Sequence, residues 1–158
     1  MYGWAAHDRR ATGAVPRNHG KNLTLVAALR PDGVHEPWLI EGAMDTATFE
    51  WYITEQLAPT LRPGQIVVLD NLSAHKADRI RLAIEARGCQ LLFLPPYSPD
   101  FTPIEQAFSK IKAILRGLGA RTKETLQEAV RLAIEAITRY DAAAWFAHAG
   151  YVLPAQPI

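Results

Sequence analysis

Two short apolar runs joined by a helical segment constrain the fold of this chain more than any other feature of its sequence. The first run, residues 66–69, reads Ile-Val-Val-Leu, and such wholly apolar, β-branched runs are typical of strands buried in a parallel sheet. Residues 76–87 predict a helix that ends at Gly88, and residues 90–94 predict a second strand. One face of that helix is predicted to carry Ile80, Ala83, Ile84 and Arg87. A strand, a helix and a strand in this order form a right-handed crossover, so the two strands should be parallel.

Further elements are predicted on both sides of this unit. Upstream, residues 23–29 and 38–40 predict two strands that pair through a turn, and Thr46 predicts the start of a helix that runs to residue 57. Downstream, helices are predicted over residues 103–116, from Thr122 onward, and over residues 141–148. The helix over 103–116 has a predicted core stripe of Ile104, Phe108, Ile111 and Leu115. Strands that alternate with helices indicate an α/β fold.

Composition limits the class of protein. With 158 residues, 49% of them hydrophobic, the chain is long enough for one domain with a substantial core. No apolar stretch approaches the ~20 residues that span a bilayer, and the first residues lack the basic and apolar regions of a signal peptide. Cys89 is the single cysteine, so no internal disulfide is expected and a cytoplasmic location is predicted.

Two acidic residues stand in positions suited to metal chemistry. Asp70 directly follows the first apolar run, Glu105 falls in the first turn of the helix over 103–116, and thirty-four residues lie between them. Because the carboxyl ends of parallel strands meet at one edge of a sheet, both acids are expected at that edge. Carboxylate oxygens suit Mg²⁺ or Mn²⁺, and two such ions can activate an attacking oxygen and stabilise a leaving oxygen in phosphodiester cleavage. Such sites usually need a third carboxylate, which this pattern does not reveal.

Both acids also have a structural interpretation. The segment Thr102-Pro103-Ile104-Glu105 matches a capping box, with threonine as the N-cap, proline at the first helical position and glutamate at the third. A capping glutamate folds back onto the backbone N–H of the N-cap residue, whereas a metal-binding glutamate points outward. Asp70 has the simpler alternative of a polar residue that ends a strand.

Basic residues cluster in two segments, although the formal net charge is only +1. The first cluster consists of Arg9, Arg10, Arg17 and Lys21, and the second of Lys110, Lys112, Arg116, Arg121 and Lys123. At about 100° per residue, one flank of the third predicted helix carries Glu105, Ser109, Lys112 and Arg116, while Lys110 points to the other flank. A line of cations that leads away from an acidic site suits a phosphate backbone; the alternative is a solvated charged face.

Two motifs resemble a known family. They are Leu69-Asp70-Asn71-Leu72-Ser73-Ala74-His75-Lys76 and Pro96-Tyr97-Ser98-Pro99-Asp100-Phe101-Thr102-Pro103-Ile104-Glu105. With the Gly3-Trp4 segment, they resemble the DDE endonuclease domain of mariner-type bacterial insertion-sequence transposases. The resemblance implies an RNase H-like mixed sheet flanked by helices, and metal-dependent DNA strand cleavage and strand transfer.

The resemblance also implies roles for individual residues. Asp70 matches the second acid of the family and Glu105 the third, so both are expected to be catalytic and to bind Mg²⁺ or Mn²⁺. Lys112 matches a basic position after the glutamate. DNA contacts are expected from His75, Lys76, Lys112 and Arg116.

The first acid of the family lies on a strand upstream of the Gly-Trp segment, before the first residue of this sequence. Residues 1–150 are therefore expected to form a catalytic domain that is incomplete at its N-terminus and lacks its first, central strand, followed by a loose tail over 151–158. The expected partners are DNA (transposon ends and target), an upstream transposase polypeptide and further copies of the chain. Two alternatives stay open. One is a non-catalytic remnant or partner subunit that assembles with an upstream transposase polypeptide, and the other is a different metal nuclease of similar fold.

Overall fold

The part of the chain that the structure describes contains four strands and five α-helices. This computed structural model describes residues 23–70, 74–95, 102–119 and 122–152, and for residues 74–77 it describes the backbone alone. The strands are β1 (Leu23–Arg30), β2 (Gly33–Glu41), β3 (Ile66–Leu69) and β4 (Gln90–Phe93). The α-helices are α1 (Thr46–Trp51), α2 (Ala74–Glu85), α3 (Pro103–Leu118), α4 (Lys123–Glu135) and α5 (Arg139–His148). Within these ranges no helix combines the length and apolar character needed to cross a membrane.

The β3–α2–β4 unit confirms the predicted order of elements and the predicted parallel pairing. Strands β3 and β4 are parallel, and their register runs from the pair Ile66 and Gln90 to the pair Leu69 and Phe93. The segment after α2 turns at Gly88, whose φ of +71° is a left-handed conformation that glycine adopts without strain. Of the residues predicted on one face of this helix, Ile80 and Ile84 are fully buried. Arg87 does not share that face, because α2 ends at Glu85; Arg87 is exposed and donates to the Pro59 carbonyl at 2.9 Å.

Strands β1 and β2 form an antiparallel hairpin, and β2 is much longer than the predicted residues 38–40. The register shifts between Val26 and Ala28, opposite Glu36, whose φ is +48°. The Tyr52 hydroxyl donates to the Glu36 carbonyl at 2.8 Å. Burial raises the pKa of Tyr52, so its hydroxyl keeps the proton that this bond needs.

The N-cap of the helix after the hairpin lies one residue before the predicted N-cap. Asp45, and not Thr46, is the N-cap, and its carboxylate accepts from the Thr48 backbone N–H at 2.7 Å. After α1 the chain continues as a π-helical segment (Tyr52–Leu57) and a 3₁₀ turn (Ala58–Thr60). The predicted single helix to residue 57 is therefore an α-helix followed by a π-helical segment, and the 3₁₀ turn extends beyond it.

The hairpin lies between two apolar cores. The first core joins residues of β1, the π-helical segment, α2, β4 and their connections: Val26, Tyr52, Ile53, Leu57, Ala58, Leu61, Ile80, Ile84, Cys89 and Leu91. The second core joins α3 to the last two helices through Ala107, Ile111, Ala133 and Ile137. On β1, Val26 and Ala28 belong with the first core, whereas Leu25 and Leu29 pack against the second. The period of two along a strand thus places α3 and α2 on opposite sides of the hairpin.

The described strands form two separate two-stranded sheets instead of one. Within the described ranges β1 pairs only with β2, and β3 pairs only with β4. Val67 and Leu69 pack against the first core, but the opposite face of β3 and β4 is poorly covered, since Ile66 is 55% exposed and Leu92 is 51% exposed. The mixed α/β composition is confirmed, and the RNase H-like arrangement of a single sheet stays a prediction.

Side-chain hydrogen bonds cap the N-termini of the last two helices. Thr122 caps α4 and Thr138 caps α5, each in a capping box with the residue three positions later. Tyr151, expected in a loose tail, donates its backbone N–H to the Phe146 carbonyl at 2.9 Å and packs edge-on against that ring. Residues 153–158 lie outside the described residues, so the division at residue 150 stays a prediction.

Candidate metal site

Asp70 lies at the carboxyl edge of the β3–β4 sheet. It directly follows Leu69, whose partner across the sheet is Phe93, and the Leu94 backbone N–H donates to the Leu69 carbonyl at 2.9 Å. Both strands therefore end at the same edge. Asp70 is exposed there. Since Val67 and Leu69 face the first core, the alternation of side chains directs the next position to the opposite side of the sheet.

Glu105 lies in the first turn of α3 and is exposed. Helix α3 packs against Leu25 and Leu29 of β1, on the side of the hairpin away from the first core. That Asp70 and Glu105 meet at one edge of the sheet stays a prediction.

The capping-box interpretation of Glu105 is wrong. The Thr102 side chain makes no capping hydrogen bond to the helix, and its ψ of 83° lies outside the extended range typical of an N-cap. Proline at the first helical position removes one backbone donor that would otherwise need a partner. Within the described residues, the Glu105 side chain has no hydrogen-bond or ion-pair partner. Its carboxylate is therefore available to an external ligand.

The carboxylate separation expected for a shared metal site remains a prediction. Residues 71–73 and 96–101, which connect the two acids to α2 and β4, lie outside the described residues. Among the residues that are described, no group of three or more His, Cys, Asp or Glu side chains could hold a metal ion. Asp70 and Glu105 alone do not make up such a group, so a metal site that they share would need a further ligand.

One flank of α3 is polar along its length, as the helical spacing predicts. Its exposed residues include Glu105, Ser109, Lys112 and Arg116. Neither Lys112 nor Arg116 forms an ion pair with another residue in the described ranges. By contrast, Lys110 points to the other flank and donates to the Asp141 carboxylate on α5 at 2.7 Å. On α3, the second basic cluster therefore divides into one cation that pairs with α5 and two that face solvent; Lys123 pairs with Glu41, and Arg121 lies outside the described residues.

For the two residues of α2 that are predicted to contact DNA, the structure describes only the backbone. His75 and Lys76 belong to the first turn of α2, which starts just after the carboxyl edge of β3. Their side chains lie outside the description, as do Asn71, Leu72 and Ser73 of the same motif. The N-terminal end of this helix nonetheless stands near the edge that carries Asp70.

A basic side chain near the carboxyl edge was not found by the sequence analysis. The guanidinium carbon of Arg81, on α2, lies 5.7 Å from the centre of the Phe93 ring. One of its nitrogens is 3.6 Å from the Glu85 carboxylate, and its side chain is 43% exposed. The sequence offers no signal for this position, because only the register of β3 and β4 places Phe93 at the end of the sheet.

Comparison with known proteins supplies one match. A protein family described as DDE superfamily endonuclease matches residues 1–127, which include Asp70, Glu105, Lys112 and Arg116. A search of the curated proteins finds no match to the chain.

Proposed function

The chain belongs to the DDE superfamily endonuclease family, and we propose that it is the catalytic part of a transposase that cuts and joins DNA strands. Endonuclease domains of this family act on DNA and generally use divalent metal ions. The motifs around Asp70 and Glu105 support the narrower proposal of a mariner-type bacterial insertion-sequence transposase. The observation that carries the proposal is Glu105, which is exposed on the first turn of α3 and takes no part in capping that helix.

Asp70 and Glu105 fit the donor chemistry of Mg²⁺ or Mn²⁺. Carboxylate oxygens are the hard ligands that these ions take, and exposed positions leave room for the waters that Mg²⁺ retains. We propose that the two carboxyl groups lie about 4–8 Å apart, within reach of shared ions. When bound, the ions supply activation of the attacking oxygen and stabilisation of the leaving oxygen.

The proposed reaction has two steps at phosphorus. Water attacks a phosphodiester at the end of the element and releases a 3′-hydroxyl, which then attacks a phosphodiester of the target DNA. In each step one P–O bond forms while another breaks. Asp70 and Glu105 hold the reacting centre, while Lys112 and Arg116 hold phosphates along the flank of α3. His75 and Lys76 are proposed to contact the backbone of the DNA at the start of α2.

We propose that the third carboxylate arrives on a strand that pairs between β1 and β3. Two observations support this position: neither strand has a second partner in the described ranges, and both pack against the first core. An inserted strand would satisfy backbone groups along both edges and bring its acid beside Asp70. In this proposal the strand belongs to an upstream transposase polypeptide. The same strand edges, which have no second partner among the described residues, favour a second candidate, a partner subunit that assembles with that polypeptide without catalysing the reaction.

Co-expression of the chain with the upstream polypeptide tests both candidates. For the transposase, we expect the unfolding temperature to rise by about 5 °C or more, the response to Mn²⁺ to increase, and plasmid nicking to appear. We expect Asp70→Asn to abolish nicking, and the chain alone to lack it. Assembly that is stable but never nicks DNA would favour the partner subunit. Equal stability and equal metal response with and without the polypeptide would overturn the inserted strand.

A further inference from the structure

We infer that Arg81 contacts the phosphate backbone of DNA bound at the carboxyl edge, an inference that rests on the proposed function. Arg81 lies on α2, on the first-core side of the β3–β4 sheet, whereas Lys112 and Arg116 lie on the helix packed at the second core. We expect DNA that crosses the edge to be held by α2 as well as by α3.

The position of Arg81 is set by the last pair of the parallel strands. Phe93 pairs with Leu69, and Asp70 is the next residue along β3. With strands about 4.8 Å apart and a rise of about 3.3 Å per residue, the backbones of Asp70 and Phe93 are about 6 Å apart. The Arg81 guanidinium carbon is 5.7 Å from the Phe93 ring, so it lies within about 15 Å of Asp70. Since phosphates follow one another every ~3.4 Å of helix axis on each DNA strand, that distance spans about four nucleotides.

The chemistry of the contact leaves Arg81 able to bind a phosphate. A guanidinium over an aromatic ring uses its π-face, so its N–H donors remain directed outward in the plane of the group. The competing contact is to Glu85, four residues along the same exposed helix surface, at a long 3.6 Å. Such exposed pairs contribute little to stability. A phosphate can therefore replace Glu85, and a planar fork of donors suits two phosphate oxygens at once.

The chain contains a matched control in Arg87. This arginine is also exposed and close in sequence, but it donates to the Pro59 carbonyl near the start of β4. Parallel strands place that start at the opposite, amino edge of the sheet from Asp70. Neutralising Arg87 therefore removes the same charge without touching the proposed DNA path.

The test measures how the affinity of the full chain for a labelled mixed-sequence DNA duplex depends on salt, by fluorescence anisotropy. We expect Arg81→Gln to weaken binding about tenfold. The slope of log affinity against log salt should fall by about 0.9, the amount for one lost phosphate contact. Arg81→Lys should keep the slope but lose part of the affinity, because a lysine cannot form the two-pronged contact. Arg87→Gln should match the unchanged protein.

Lys112→Gln separates failure of this inference from failure of the proposed function. If Lys112→Gln weakens binding and Arg81→Gln behaves as Arg87→Gln does, the role of Arg81 is overturned while the proposed function stands. If neither Lys112→Gln nor Arg81→Gln differs from Arg87→Gln, or if the chain does not bind DNA at low salt, the proposed DNA path itself fails. A salt slope in Arg81→Lys equal to that of the unchanged protein would show that the charge at position 81 sets the slope. The effect of Arg81→Gln would then not come from a loss of folding.

Discussion

Helices α3 and α5 begin with the same pattern, a threonine followed three residues later by an acid, yet the two acids are used differently. At α5, the Asp141 carboxylate accepts from the backbone N–H and the hydroxyl of Thr138, both at 2.8 Å, and from Lys110 at 2.7 Å. The Thr138 hydroxyl in return accepts from the Asp141 backbone N–H at 3.2 Å. At α3, Thr102 makes no capping bond, and Glu105 has no partner in the described ranges.

The backbone before each helix accounts for the difference. Thr138 has ψ of 162°, which turns its side chain back over the first turn, whereas Thr102 has ψ of 83°. Proline follows Thr102 and presets the helical φ, so α3 starts without a side-chain cap. The comparison teaches that an acid at the third helical position serves the fold only where the N-cap geometry lets it, and otherwise remains available for chemistry.

The largest expected effect concerns catalysis in the assembly with the upstream polypeptide. Glu105→Gln should lower Mn²⁺-dependent strand cleavage by at least about a hundredfold, because a ligand of the ions that stabilise the leaving oxygen is removed. Asp141→Asn should leave cleavage within about twofold, since a single surface substitution outside the site usually has a small effect. The measurement is the initial rate of plasmid nicking for both variants. Similar losses of nicking rate in both variants would show that the acids at the two helix starts do not differ in function.

A smaller, opposite effect is expected for stability. Asp141→Ala should lower the free energy of unfolding by about 1–2 kcal/mol, because it removes the capping box and the ion pair with Lys110. Glu105→Ala should change it by less than about 0.5 kcal/mol, as for a surface position without partners. Urea unfolding of both variants gives the comparison. A destabilised Glu105→Ala would show that Glu105 supports α3 after all.

The smallest expected effect is a dependence on acid. The hydrogen bond from Lys110, followed by those from Thr138, lowers the pKa of Asp141 from 3.8 to about 2. A depressed carboxyl pKa contributes stability that is present above pH 3.8 and is lost as the pH falls towards 2. The difference in unfolding free energy between the unchanged chain and Asp141→Ala should therefore shrink over that interval. A difference that stays constant from pH 4 to about 2 would contradict the role assigned to this carboxylate.

The parts of the fold that the sequence predicts well depend on local patterns. The β-branched run before Asp70 and the glycine at residue 88 define β3 and the end of the α2 region, and the apolar period defines α3 and α4. These signals are local, because strand propensity, helical period and a left-handed glycine each act within a few residues.

The parts that the sequence predicts poorly depend on backbone geometry or on distant contacts. Asp45 and Thr46 are both good caps, and only the chain path selects Asp45. The segment that starts at Thr102 has the residue types of a capping box, but the ψ of Thr102 lies outside the range of an N-cap residue and its side chain makes no capping hydrogen bond. Arg81 and Phe93 meet only because the register of two strands brings them together. At the candidate site, the position of Asp70 after β3 and of Glu105 in the first turn of α3 follows from the sequence, whereas the sequence predicts no third ligand.

The most direct test of the central claim, that Asp70 and Glu105 share one divalent ion site, is paramagnetic broadening by Mn²⁺ in amide spectra of the ¹⁵N-labelled chain. This measurement detects weak binding and depends steeply on distance, so it suits a site with an incomplete set of ligands. We predict that amides next to Asp70 and in the first turn of α3 broaden together at low Mn²⁺. We also predict that Asp70→Asn removes the broadening at both places and that Asp141→Asn changes neither. Broadening around Glu105 that persists in Asp70→Asn would contradict a shared site.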